Sequence, residues 1–149
     1  MVSNFDHVTL AVTDLEATKK FFALLGFDVD REVVISGPAI EAYMGVPGIE
    51  ADHVTLVIPG SSPRQEVQLL HYHSPPVKPD DGSGVLDRIG FNHVCFRVDD
   101  LDAAVERLVA GGVELRNQPM DFLDRRLVFL HGPCEVVVEL AEWVTPRPT

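Results

Sequence analysis

Two cysteines in 149 residues, Cys95 and Cys134, are too few to build a disulfide scaffold. No run approaches the roughly 18 apolar residues that a membrane helix needs. Residues 1–6 lack the basic and apolar regions of a secretory signal. Basic residues are scarce as well: 12 Lys and Arg stand against 23 Asp and Glu, a formal net charge of −11. An acidic surface repels phosphate backbones and anionic lipid heads, so no nucleic-acid or membrane partner is expected. The acidic residues are spread along the chain rather than gathered in a tail, the pattern of a solvated surface. These absences fit a cytoplasmic protein that acts on a small molecule. What is present, 46% hydrophobic and 23% charged residues, is the composition of an ordinary folded domain.

The chain repeats itself. Phe5-Asp6-His7-Val8-Thr9-Leu10-Ala11-Val12-Thr13-Asp14-Leu15-Glu16-Ala17 has a counterpart 86 residues on, from Phe5 to Phe91. It reads Phe91-Asn92-His93-Val94-Cys95-Phe96-Arg97-Val98-Asp99-Asp100-Leu101-Asp102-Ala103, and seven of the 13 positions are identical. Both copies open with period-two alternation: Val8, Leu10 and Val12 oppose His7, Thr9 and Ala11, as Val94, Phe96 and Val98 oppose His93, Cys95 and Arg97. Such alternation marks a strand with one face on a core. Thr13-Asp14 and Asp99-Asp100 then cap helices. Leu15, Thr18, Phe22 and Leu25, and Leu101, Ala104, Val105 and Leu108, follow at helical spacing. Gly26 and Gly111-Gly112 end the two helices.

Strand-like segments follow each helix, at 28–34, 53–58 and 66–72, and again at 114–116, 127–131 and 136–143. Each half therefore reads βαβββ: a first module over 1–74, a Pro-, Gly- and Asp-rich linker over 75–88, and a second module over 89–149, together one structural domain. Residues 36–50 have no counterpart in the second half. Their 38–44 portion reads as a short helical turn, a lid or pocket wall.

The last strands correspond too, Gln68-Leu69-Leu70-His71-Tyr72 matching Glu139-Leu140-Ala141-Glu142-Trp143. Gln68 and Glu139 thus hold equivalent places, as His7 and His93 do. A lone strand histidine is ordinarily a hydrogen-bonded core or surface residue, and a lone Glu or Gln at a strand end is ordinarily solvated. Recurrence at matching positions, opposite the apolar stripe, changes that reading. Two modules related by a pseudo-twofold axis would gather two imidazoles, an amide oxygen and a carboxylate, a set suited to a divalent transition metal.

The motifs Asp6-His7-Val8, Asn92-His93-Val94, Val67-Gln68-Leu69-Leu70 and Val138-Glu139-Leu140 resemble those of the vicinal oxygen chelate superfamily. That group includes glyoxalase I, methylmalonyl-CoA epimerase, extradiol dioxygenases, and fosfomycin- and bleomycin-resistance proteins. The resemblance covers nearly the whole chain. It implies an α+β fold of two tandem βαβββ modules forming an open, cup-shaped mixed sheet with helices on the outer face. It also implies one divalent metal ion (Co, Ni, Zn, Mn or Fe) held by His7, Gln68, His93 and Glu139, and a homodimer. The order His, Gln, His, Glu is similar to that of methylmalonyl-CoA epimerase, whereas bacterial glyoxalase I usually has Glu where Gln68 stands.

The resemblance implies Lewis-acid chemistry on a carbonyl or a chelating oxygen pair, through a metal-stabilised enolate. Glu139 is the candidate base and Glu50 a candidate second base. Arg97, Cys95 and Thr9 share the faces of His93 and His7 and are candidate substrate contacts. Arg97 would hold a carboxylate or phosphate. Cys95 lacks a neighbouring His or Lys to activate it and reads as packing. His71 and His73 fall on the opposite parity from Gln68 and are expected at the surface. The expected activity is an isomerase, epimerase or lyase on a small 2-oxo or acyl-thioester substrate. One alternative is an Fe(II) extradiol dioxygenase, which needs only His7, His93 and Glu139. A metal-free drug-binding resistance protein is the other, and it would leave all four ligand-type residues unexplained.

Overall fold

A computed structural model of the chain describes residues 1–78, 82 and 84–145. The chain divides into two compact units, Met1–Pro79 and Asp80–Thr149. Of the expected linker, positions 79–81 and 83 lie outside the described residues, as do the last four positions of the second module. No helix among the described residues is long and apolar enough to cross a membrane.

The first unit runs β1 (His7–Ala11), α1 (Leu15–Leu24), β2 (Asp28–Ser36), α2 (Pro38–Met44), β3 (Glu50–Val57) and β4 (Glu66–Ser74). The second runs β5 (Val94–Arg97), α3 (Leu101–Ala110), β6 (Met120–Phe122), β7 (Arg125–His131) and β8 (Val137–Trp143). The sheets share one topology, β1-β4-β3-β2 and β5-β8-β7-β6. In each, the first strand pairs in parallel with the last and the other pairings are antiparallel. The fold is therefore α+β, with two βαβββ-type modules carrying two open, mixed four-stranded sheets.

The helices begin and end by the same chemistry in both units. Asp14 and Asp100 are N-caps whose carboxylates accept from the N–H of Ala17 and Ala103, each at 2.9 Å. At the other end Gly26 and Gly112 adopt φ of 91° and 89°. Beyond them Phe27 N–H reaches back to the Phe22 carbonyl and Val113 N–H to that of Leu108. Left-handed backbone lets glycine close this Schellman turn without the penalty a Cβ would bring. Phe27 is buried by the turn and packs edge-on against Phe22, ring centres 5.5 Å apart.

Strand alternation puts one face of each sheet in a core. Leu10, Val12, Val54, Leu56, Val67 and Leu69 are buried in the first unit with Thr18, Phe21 and Phe22 of α1. Val128, Leu130, Val138 and Leu140 are buried in the second with Leu101, Ala104 and Leu108 of α3. His7, Thr9, His53, Thr55, Gln68 and Leu70 all line one cleft on the other face of the first sheet.

Two elements differ from the sequence expectation. β3 starts at Glu50, because Glu50, Ala51 and Asp52 pair with the ends of both β2 and β4. In the second half the strand expected at 114–116 makes only an isolated bridge, Leu115 to Leu130, and β6 forms at Met120–Phe122 instead. The Asn117 side chain accepts the Phe129 N–H at 2.8 Å, taking the place of a backbone carbonyl, and the ladder stops there.

The paired caps provide a stability test. Asp14→Ala and Asp100→Ala should each cost about 1 kcal/mol. They lie in different units and share no partner, so their effects should add in the double variant, read from urea unfolding midpoints.

Candidate functional site

In the first unit, β1 and β4 lie side by side with His7 opposite Glu66 and Thr9 opposite Gln68. His53 and Thr55 come from β3, opposite Leu70 and Gln68. The Gln68 amide oxygen lies 3.1 Å from His53 Nε2 and accepts from the Thr9 hydroxyl at 3.4 Å, while its NH2 donates to Glu66 at 3.3 Å. These groups open onto a cleft of about 710 Å³, walled on one side by Ile40 and Tyr43 of α2. The inserted segment thus forms a pocket wall. Arg31 and Arg64 also line the cleft. Arg64 is paired with Asp30 and Glu66 and holds Glu66 below the usual carboxylate range.

The second unit repeats the arrangement with different side chains. Cys95 on β5 lies opposite Glu139 on β8, and Phe129 on β7 lies on the other side of Glu139. His93, just before β5, brings Nε2 to 3.3 Å from Glu139 Oε2 and packs edge-on against Phe129. Arg97 remains exposed, with Asp99 at 3.6 Å.

Each histidine carries the same clamp. His7 Nδ1 contacts the Asp6 carboxylate, and His93 Nδ1 contacts the Asn92 side-chain oxygen at 2.7 Å. With Nδ1 protonated and donating to the Asx oxygen, Nε2 keeps its lone pair, the state in which imidazole binds a metal. His93 Nε2 and Glu139 Oε2 already stand at a spacing suited to neighbouring ligands of one ion. Asp6, His7 and Glu66 also bring three donor atoms within 4.8 Å of one another.

The structure thus groups His7, Thr9 and Gln68 within the first unit, and His93, Cys95 and Glu139 within the second. Glu50 is not among the residues that line the cleft. Its carboxylate lies 3.2 Å from His73 Nδ1, and His73 shares strand parity with His71 rather than with Gln68. Sequence reasoning passed over His53 and Glu66. The signal for His53 was there, in the alternation of His53 and Thr55 with Val54 and Leu56. Glu66 stands two residues before Gln68, on the same face.

Cys95 reports on the Glu139 environment. Loss of hydration, and then the Glu139 carboxylate that accepts from the thiol, push Cys95 up to about 12. The residue is nevertheless exposed, so a reagent can reach it. Only the thiolate attacks, and its fraction rises tenfold per pH unit below the pKa. Iodoacetamide should therefore modify Cys95 slowly at pH 8, in a Cys134→Ser background, and Glu139→Gln should speed the reaction. Rapid modification of the otherwise unchanged protein would contradict this placement.

Comparison with known proteins agrees with this fold. The chain is 26% identical over 138 residues to the uncharacterized protein YaeR of Escherichia coli strain K12, covering 91% of this chain and 93% of that one. It is 30% identical over 118 residues to the ethylmalonyl-CoA/methylmalonyl-CoA epimerase of Cereibacter sphaeroides, covering 77% of this chain and 75% of that one. A crystal structure of a glyoxalase family protein from Bacillus cereus superposes with a TM-score of 0.87 at 23% identity, covering 97% of both chains. The sequence pattern of one family matches residues 4–140. The chain belongs to the Glyoxalase/Bleomycin resistance protein/Dioxygenase superfamily.

Proposed function

We propose that the chain is a metal-dependent isomerase, epimerase or lyase that moves a proton beside the carbonyl of a small 2-oxo or acyl-thioester substrate. The observation that carries this reading is the duplicated donor set. Each unit has an Asx-clamped histidine at its first strand and an amide or carboxylate oxygen at the matching place on its last. His7, Gln68, His93 and Glu139 would hold one divalent ion. A neutral imidazole pair with two oxygens suits Mn, Fe, Co, Ni or Zn. Gln68 fits as an oxygen donor once its Oε1 turns from His53 and Thr9.

The ion would supply Lewis acidity towards a substrate carbonyl, which makes the neighbouring C–H more acidic. Within the chain, Glu139 is the group suited to take that proton and return it. Its side chain is mostly shielded from water and stands beside the His93 imidazole, which gives it the fixed position such a transfer requires. Arg31 lines the cleft and is the cation there suited to receive a substrate anion. The 30% identity to an acyl-CoA epimerase supports the acyl-thioester side of the substrate class.

Two substitutions test the reading. His93→Ala should remove one equivalent of bound metal, by elemental analysis, and leave the circular dichroism spectrum unchanged. An unaltered metal content would sink the proposed site. Gln68→Glu should keep the metal and change the rate of substrate deuterium exchange; complete loss of metal would show that Gln68 is more than an oxygen ligand.

A further inference from the structure

On the sheet face opposite the cleft, at the ends of β3 and β4, lies a second cluster of ligand-type side chains. His71 and His73, two apart on β4, share a face, and Asp52 stands opposite His71 on β3. Asp52 Oδ2 is 3.1 Å from His71 Nδ1 and 2.8 Å from His73 Nε2. All three donor atoms fall within 4.8 Å of one another. Glu50 completes the group, its carboxylate 3.2 Å from the other His73 nitrogen, Nδ1. The regular β3–β4 register runs Asp52 to His71 and Ala51 to Tyr72, which brings Glu50 alongside His73; the irregularity at Glu50 pairs its backbone with Ser74 and leaves that contact in place.

We infer that Asp52, His71 and His73 form a second binding site for a divalent transition ion such as zinc, with Glu50 positioning His73. The donor spacing fits. Zinc–ligand distances of about 2.0–2.1 Å in a tetrahedron put neighbouring donors about 3.3 Å apart. The two nitrogen–oxygen separations need to open by only a few tenths of an ångström. The chemistry fits as well: two imidazoles with one carboxylate select zinc-like ions over calcium or magnesium, which take oxygen ligands. Glu50 supplies the carboxylate–histidine–metal relay that orients a ligand imidazole and raises its basicity.

As surface ion pairs alone, contacts of side chains about one-third exposed contribute little. Asp52, and then Glu50, accept hydrogen bonds from His73 and hold it above the ordinary imidazole range, so an ion that binds there displaces a proton. An ion here would join the start of β3 to the end of β4. Through Glu50 it would also act on the inserted segment whose α2 walls the cleft.

The site is independent of the ion proposed for His7, Gln68, His93 and Glu139, and the test keeps the two apart. Full-length protein is stripped with chelator and titrated calorimetrically with Zn²⁺ alone, as wild type, His93→Ala and His71→Ala/His73→Ala, with circular dichroism confirming the fold. One equivalent should persist in His93→Ala and disappear in the double variant. Glu50→Gln should weaken that equivalent about 10–100-fold without abolishing it. Zinc stoichiometry unchanged in the double variant, or no zinc bound by His93→Ala, overturns the inference. Asp52→Asn, which leaves both imidazoles and the side-chain volume in place, should also lose the equivalent. Full retention in that variant overturns the inference as well.

Discussion

Parallel pairing of a module's first strand with its last is the constraint on which the rest depends. In the first unit it places Thr9 against Gln68, and in the second Cys95 against Glu139. Because side chains alternate across a strand, this one register decides both which residues enter the core and which polar groups meet on the other face. A slip of one residue in β4 would carry Val67 and Leu69 out of the core and Gln68 into it. Each of those apolar side chains is worth about 1.5–3 kcal/mol of burial. Slipping both central strands, with Val54 and Leu56 as well, would forfeit about 6–12 kcal/mol, comparable to the whole stability of a small domain. The site is therefore held in place by the hydrophobic face behind it.

The same backbone frame then carries different chemistry in its two copies. Where the first unit has Thr9, Gln68 and Thr55, the second has Cys95, Glu139 and Phe129 at equivalent register positions. The first is a polar, hydrogen-bonded array on a wide cleft, and the second a carboxylate beside an imidazole with a phenyl ring and a protonated thiol. Duplication preserved the histidine and its Asx clamp while the surroundings diverged.

Much of this was legible in the residues. The repeat of Phe5-Asp6-His7-Val8 as Phe91-Asn92-His93-Val94 announced two modules, and alternation assigned the core face of the first and last strands. Aspartate and glycine marked both ends of each helix, and the residues 38–44 formed the short helix expected of them. What escaped notice depends on pairing between distant strands. His53 joins Gln68 only because β3 lies beside β4. The 114–116 strand failed because one side chain, Asn117, replaced a carbonyl in the ladder. Glu50, the candidate second base, meets His73 across the β3–β4 ladder, a contact that cross-strand register sets. His71 and His73 did fall on the surface, where their meeting with Asp52 follows from cross-strand register alone.

Anomalous diffraction at the manganese edge, from crystals of the full chain grown with Mn²⁺, tests the central claim most directly. The account predicts a peak within bonding distance of His7 Nε2, His93 Nε2, Glu139 and the Gln68 amide oxygen together. A chain saturated with manganese that shows no such peak, or shows one bonded to residues of a single module, would contradict it.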